Sequence, residues 1–278
     1  YVKKQMLEKG QSPCQIHNNC SGKHAGFLSV SRHLNAGPEY TDPDHPVQLM
    51  VMDVFQELTQ NKVDGITLQI QPESYYDNSK NFKRALNFKT YQKISSIIKK
   101  KKKLFGLAIM DKKTLEKSNV IKFDFLKILS LGFNDTSLIK KAINTKKKIF
   151  LSTGFADMKS IIDSSKKFAN INFIHTSLDL MPKNVNLSAI RTIKKKIKNK
   201  VSYGHHSKDL EILLVSLSYF PDSIFFYVKP DKKNYYPDNE HAISLKNLPN
   251  ILRLIKITQQ SIGNGIKIKR RIPDWIFE

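Results

Sequence analysis

Apolar positions along this chain alternate between two patterns. Short unbroken runs, such as Ile149-Phe150-Leu151, have the character of parallel strands covered on both faces. Longer stretches with apolar residues three or four apart follow them and predict helices. The segment from Lys148 to Phe168 shows one complete unit. Its strand ends at Ser152-Thr153-Gly154, a polar loop with hydroxyls and a flexible glycine, and from Ala156 helical spacing returns at Met158, Ile161, Ile162 and Phe168. In parallel α/β folds ligands sit at loops of this kind, beyond the C-terminal ends of strands.

The same alternation predicts strands at Gly65–Ile70, Leu104–Met110, Phe125–Leu129, Ile171–His175, Val201–Tyr203 and Ser223–Val228. Helices are predicted at about Lys89–Lys101, Thr114–Lys117 with Asp111 as cap, and from Asp135 or Thr136 through Ile143. Others follow at Leu187–Lys198, Leu210–Tyr219 and Leu248–Ile262. Strands alternating with helices at this pace imply parallel pairing with right-handed crossovers. The predicted fold class is therefore α/β, a TIM-type (β/α)8 barrel with seven recognisable strands, one short of closure, and a non-barrel N-terminal segment. A doubly wound open sheet is the competing topology, and the chain lacks its glycine-rich fingerprint. Pro46 to Leu58 carries a helical stripe where the missing strand should lie upstream, and Phe27 to Val30 could be recruited despite a weak period-two signal. The expected division is 1–62 for the N-terminal segment and 63–278 for the barrel.

Composition narrows the functional classes. With 278 residues, 40% of them apolar, the chain can bury a full core. The net charge of +23 comes from lysines along the whole length, peaking at Lys99–Lys103 and Arg191–Lys200. These runs fall at predicted helix C-termini, where cations suit the helix dipole, and no recognition motif accompanies them, so nucleic acid is not an expected partner. No window approaches the roughly 18 consecutive apolar residues of a membrane span, and Tyr1-Val2-Lys3-Lys4 opens no signal-peptide core. Two cysteines exclude a disulfide framework and fit a reducing, cytoplasmic setting.

Cys14, His17, Cys20 and His24 fall within eleven residues, a spacing that matches no standard zinc finger. Ser21-Gly22-Lys23-His24 lacks the first glycine and the final hydroxyl of a phosphate-binding P-loop. Downstream, a lysine within the apolar run Phe125-Leu126-Lys127-Ile128-Leu129 requires an anionic partner, a barrel-interior position or an edge facing water. His175 ends an apolar strand and reads more readily as a hydrogen-bonded core or rim residue than as a ligand.

Two resemblances add to this reading. Ile16-His-Asn-Asn-Cys-Ser-Gly-Lys-His-Ala-Gly-Phe-Leu28 and Tyr40-Thr-Asp-Pro-Asp-His-Pro-Val-Gln48 resemble the Rhizobium-type L-asparaginase (asparaginase II) family over about residues 10–60. The resemblance implies that Cys20 and Lys23 belong to a metal-binding site. The family's Ser-x-x-Lys nucleophile segment is absent, and without nucleophile and base together asparaginase activity is not expected.

Residues 63–268 resemble the catalytic barrel of the sialic acid synthase (N-acetylneuraminate synthase) family. The strings are Phe150-Leu-Ser-Thr-Gly154, Phe173-Ile-His-Thr-Ser177, Val201-Ser-Tyr-Gly-His-His-Ser207 and Glu240-His-Ala-Ile-Ser-Leu245. That family condenses phosphoenolpyruvate with an N-acyl amino sugar, using a divalent metal, Mn or Mg, at the barrel mouth. It also carries a C-terminal antifreeze-like domain, which this sequence, ending at Glu278, does not reach. The resemblance implies that Lys127, Ser130 and Ser152 hold phosphoenolpyruvate, with Gln69 a further substrate contact, and that His206 binds metal. Lys127, His206 and Glu240 are the implied catalytic set. It is incomplete: the family's second metal histidine falls at Val228, a strand lysine at Thr67 and a glutamate at Gly132. His205, Glu240 or His241 could substitute at the mouth.

The expected activity is thus carbon–carbon bond formation for nonulosonic acid and surface polysaccharide biosynthesis, with phosphoenolpyruvate and an N-acyl amino sugar as partners and a homodimer as a compatible assembly. The alternative is a non-catalytic barrel binding a phosphosugar or another anion without metal. A third reading is an artificial junction of the two resemblances at about residues 58–65.

Overall fold

The computed structural model describes residues 54–72, 86, 88–230 and 240–267, together with the backbone of the strand at 25–30. Within it the predicted apolar runs become β2 (Gly65–Gln69), β3 (Leu104–Ile109), β4 (Phe125–Ile128), β5 (Lys148–Ser152), β6 (Ile171–Thr176), β7 (Val201–Gly204) and β8 (Ser223–Lys229). Each pairs in parallel with the next.

Closure comes from the segment placed outside the barrel on sequence grounds. Ala25–Val30 forms β1, which pairs in parallel with β2 through Phe27 and Gly65 to Val30 and Leu68, and with β8 through Ala25 and Ser223 to Val30 and Val228. The ring of eight parallel strands is therefore complete, with one stave drawn from the asparaginase-like residues. The reason Ala-Gly-Phe-Leu-Ser-Val hides its identity is that it shows neither a β-branched run nor a clean alternation, so its strand state depends on two neighbours far away in sequence. A two-residue strand, β9 (Ile243–Ser244), pairs with β8 at Val228 and Lys229, beyond the point where β7 pairs at Ile224 and Phe225.

Helices α1 (Phe88–Lys100), α2 (Lys112–Lys117), α3 (Thr136–Asn144), α4 (Met158–Lys167), α5 (Pro182–Val185), α6 (Ser188–Lys196), α7 (Leu210–Ser216) and α8 (Leu248–Ile262) alternate with the strands. Residues 54–60 are also helical. Asp111 and Asp135 act as the expected start signals, and Asp157 does the same for α4: each accepts the backbone N–H three residues on, at 2.8 to 2.9 Å. The C-terminal turns of α1, α4 and α6 are lysine-rich, as suits the negative end of the helix dipole.

Period-two alternation sorts the strand side chains into two cores. Outward residues such as Ile66, Leu107, Leu126, Leu151, Phe173 and Phe226 pack against the helices. Inward residues Phe125, Phe150, Ile174 and Phe225 form a separate plug inside the ring. The rings of Phe125 and Phe150, and of Phe150 and Phe225, meet edge to face at 5.6 and 5.0 Å. Gly106 makes room for the plug, since a Cβ there would lie 2.2 Å from the Phe125 ring. Filling the lower barrel in this way confines any opening to the C-terminal ends of the strands. No helix among the described residues is long and apolar enough to cross a membrane.

Candidate active site at the barrel mouth

Above the plug lies a cavity of about 180 Å³, whose polar lining comes from Lys127, Ser130, Ser152, Thr176, His206 and Tyr227. Lys127 points inward between Ala108 of β3 and Phe150 of β5 and is only 3% exposed. Its ammonium stands 5.3 and 5.5 Å from the ring centroids of Phe225 and Tyr227 on β8, across the ring from β4. The apolar stem fills the barrel, and the charge is delivered to the cavity.

Hydroxyls surround that charge. Ser152 ends β5, and its Oγ is buried with no hydrogen-bond partner among the described residues; Thr176 Oγ1, at the end of β6, is in the same condition. Buried hydroxyls without partners carry a desolvation cost that a ligand would relieve. Ser130, in the turn after β4, accepts the N–H of Gly154 at 3.1 Å, which ties that turn to the loop after β5.

The two adjacent histidines separate. His205 is fully buried, with Nδ1 3.2 Å from the Tyr203 hydroxyl. Burial, followed by the nearby His241, lowers its pKa to about 4, and burial raises that of Tyr203. His206 lines the cavity, its ring 5.0 Å from Tyr227 and 4.9 Å from His241, which itself lies 4.9 Å from Tyr227. The register of β9 sets Ile243 beside Val228 and so leaves His241 within reach of the mouth.

His175 lies away from this group, with Nε2 3.0 Å from the Val185 carbonyl and its ring stacked on Tyr203; burial lowers its pKa. Gln69 is buried on β2, where its carbonyl accepts from the Tyr91 hydroxyl at 3.5 Å, and it does not line the cavity. Glu240 is turned to solvent, 2.8 Å from Lys208, which lowers its pKa. Cys20 and Lys23, like Cys14, His17 and His24, lie outside the described residues. Of the implied site residues, Lys127, Ser130, Ser152 and His206 converge, and Gln69 and Glu240 stand apart.

Hard divalent cations take several carboxylate, carbonyl or imidazole donors. Among the described residues no group of three or more His, Cys, Asp and Glu side chains converges. Val228, the aligned position of a second metal histidine, packs in the outer core. The donors described at the mouth, His206 with His241 and Tyr227 beside it, do not make up that set. Thr176 and Tyr227 escaped the sequence reading, although each lies two residues beyond an inward position of the plug, Ile174 and Phe225, and period two could have found them.

Comparison with known proteins finds relatives of both kinds. A family model described as L-asparaginase II matches residues 1–70. The N,N'-diacetyllegionaminic acid synthase of Campylobacter jejuni is 26% identical over 194 residues, 66% of this chain and 58% of that protein. An uncharacterised protein of Methanocaldococcus jannaschii is 29% identical over 55% of this chain and 47% of its own length. The chain thus spans about half the length of the curated relatives it matches. In fold it is similar to the N-acetylneuraminic acid synthetase of Leptospira borgpetersenii, solved with citrate, with a TM-score of 0.75 at 22% identity over 88% of this chain and 87% of that one. A spore coat polysaccharide biosynthesis protein of Bacillus subtilis gives a TM-score of 0.72 at 15% identity over 91% and 73%. The chain therefore joins an L-asparaginase II-like segment to a sialic-acid-synthase-like barrel, and the matched residues 1–70 include β1 and β2 of the ring.

Proposed function

We propose that the barrel mouth binds phosphoenolpyruvate beside an N-acyl amino sugar, and that the protein acts as a sialic-acid-synthase-like enzyme of nonulosonic acid and surface polysaccharide biosynthesis. The observation that carries this reading is the buried Lys127 ammonium, which shares one cavity with the hydroxyls of Ser130 and Ser152. A lysine with hydroxyl donors around it suits a small dianion, because each donor shortens and strengthens its bond to a charged acceptor. The similarity to a legionaminic acid synthase supports the same substrate class.

In the proposed reaction the enol carbon of phosphoenolpyruvate joins the aldehyde carbon of the sugar, the aldehyde oxygen gains a proton, and water displaces phosphate. Lys127, Ser130 and Ser152 would hold the phosphate and carboxylate so that the enol carbon faces His206, whose imidazole would place a proton near the aldehyde oxygen. No step is assigned to a metal, given the donors described at the mouth. That same donor set favours a second reading, an anion-binding barrel without turnover.

Calorimetric titration with phosphoenolpyruvate, with and without Mn²⁺, and phosphate release over a panel of N-acyl sugars test both. Binding with sugar-dependent phosphate release supports the enzyme, and binding without release supports the module. Absence of phosphoenolpyruvate binding sinks both.

A further inference from the structure

We propose that the closed end of the barrel, opposite the mouth, docks on an anionic lipid surface. The proposal goes beyond the reading of the cavity and stands whether or not the mouth turns over.

The strands of the ring run in parallel, so the turns that lead into them gather at one end and the loops that leave them at the other. Charge divides between the two ends. The turns leading into β2 to β8, residues 61–64, 101–103, 121–124, 145–147, 168–170, 197–200 and 217–222, hold nine lysines and three aspartates. The described residues of the loops at the mouth hold three lysines and six carboxylates. A composition merely rich in lysine would load both ends alike. The last turns of α1, α4 and α6 add Lys99, Lys100, Lys166, Lys167 and Lys194 to Lys196 to the closed end. The helix dipole suits these seven, but it does not reach the lysines beyond the helices. Asp124 and Asp222 are each taken up by one cation, Lys99 and Lys194, at 3.1 Å. The remaining charge is crowded: burial, and then the neighbouring Lys200, lower the pKa of Lys148 at the foot of β5.

The backbone shows the same bias. Of the four described non-glycine residues with positive φ, three lie at this end: Lys102 at 55°, Lys146 at 56° and Phe220 at 53°. Lys102 and Lys146 follow the ends of α1 and α3, a place where glycine costs the backbone least. The left-handed turns carry cations and an aromatic instead. Phe220 is 40% exposed, and Leu104, which opens β3 beside Lys103, is 42% exposed.

Lysines interspersed with exposed apolar side chains match a charged headgroup layer with hydrocarbon beneath it. The absence of arginine from all of these turns separates that partner from nucleic acid. Guanidinium forks grip individual phosphates, whereas ammonium groups act as hydrated point charges drawn to a charged sheet. A leucine and a phenylalanine find apolar contact below headgroups but none along a duplex backbone. Docked by this end, the barrel holds its mouth away from the bilayer and open to solution.

The test is co-sedimentation of the full chain with vesicles of phosphatidylcholine alone and with vesicles of phosphatidylglycerol and phosphatidylcholine in equal parts. The protein should partition onto the anionic vesicles at about 0.1 M salt, where the Debye length is about 10 Å, and leave them at about 1 M, where it is about 3 Å. Lys102→Gly combined with Lys146→Gly should weaken that partition on the order of tenfold, since each lysine near a charged bilayer contributes about fivefold. The melting temperature of this variant should hold, because glycine suits both turns. Lys101→Glu, at an exposed position outside the helices, should act in the same direction. Lys183→Gln combined with Lys208→Gln removes the same charge at the mouth and should leave partition nearly unchanged. Failure to bind the anionic vesicles, equal binding to the neutral ones, or a loss as large in the mouth pair as in the first pair would overturn the proposal. Tighter binding to duplex DNA than to anionic vesicles at the same salt would overturn it as well, and would assign this end to nucleic acid.

Discussion

The backbone N–H of Gly154 donates to Ser130 Oγ at 3.1 Å, so the turn after β4 and the loop after β5 meet at the floor of the mouth. A Cβ at position 154 would stand 2.7 Å from that oxygen and 3.0 Å from Leu178 Cγ. Gly154→Ala should therefore displace the Ser130 hydroxyl while leaving the strands intact. Loss of one hydrogen bond to a charged ligand predicts a fall in phosphoenolpyruvate affinity on the order of tenfold, with a small change in melting temperature. Calorimetry reads the first and a thermal melt the second; unchanged affinity would remove Ser130 from the anion site.

Lys127 should separate binding from stability. Lys127→Met keeps an unbranched stem between Ala108 and Phe150 but removes the buried charge. The variant should bind phosphoenolpyruvate about 10- to 100-fold more weakly, the range for a charge-assisted contact. Its melting temperature should hold or rise, since an apolar group replaces a desolvated ammonium. A variant that melts lower and binds normally would make Lys127 a structural residue.

Gly106 and Phe125 form a second dependent pair, this time in the plug. With a methyl 2.2 Å from the ring, Gly106→Ala should lose about 1–3 kcal/mol in denaturant unfolding, the usual cost of overpacking. Adding Phe125→Leu should recover part of that loss, because the smaller side chain yields the space. If the two changes simply added, the contact would not be what constrains position 106.

Stability should also depend on pH through His205. The unfolded chain takes up a proton on this imidazole near the ordinary value of 6.5, whereas the folded protein, by burial, resists until about 4. The unfolded state therefore binds more protons in that interval, and stability is fully present above pH 6.5 and declines as the pH falls toward 4. The loss is on the order of 3 kcal/mol, and buried His175 acts in the same direction. Guanidinium unfolding at pH 7.5, 5.5 and 4.5 measures the slope. His205→Asn, which keeps an acceptor for the Tyr203 hydroxyl, should flatten it; an unaltered slope would place the effect elsewhere.

Much of this architecture is legible in the amino-acid sequence because parallel strands buried on both faces leave continuous apolar runs, and because Asp111 and Asp135 announce their helices. The final helix begins and ends where its spacing predicts, at Leu248 and Ile262. Lys127 could be read as unusual from its apolar neighbours alone. What sequence reading could not resolve was direction. The resemblance pointed to His206, which lines the cavity, but His205, admitted beside it as a substitute at the mouth, lies one residue out of phase, against Tyr203. Likewise alignment singled out Val228 on β8, while Tyr227, one residue earlier, is the side chain that faces the mouth. Glu240 was chosen for its carboxylate, but Lys208 holds it in solvent and its neighbour His241 turns inward. Such outcomes depend on the register of β9 against β8, a tertiary relation with no local signature.

The position of β1 between β2 and β8 means that the boundary between the two resemblances is not a boundary in the sheet. A fragment beginning at residue 63 would carry two bare edges, each a row of unsatisfied amides and carbonyls facing a gap one strand wide. Edges of that kind recruit whatever extended peptide is nearby, including another copy of the same fragment. Cutting the chain at residue 63 should therefore yield a sticky, self-associating product in place of a smaller monomer.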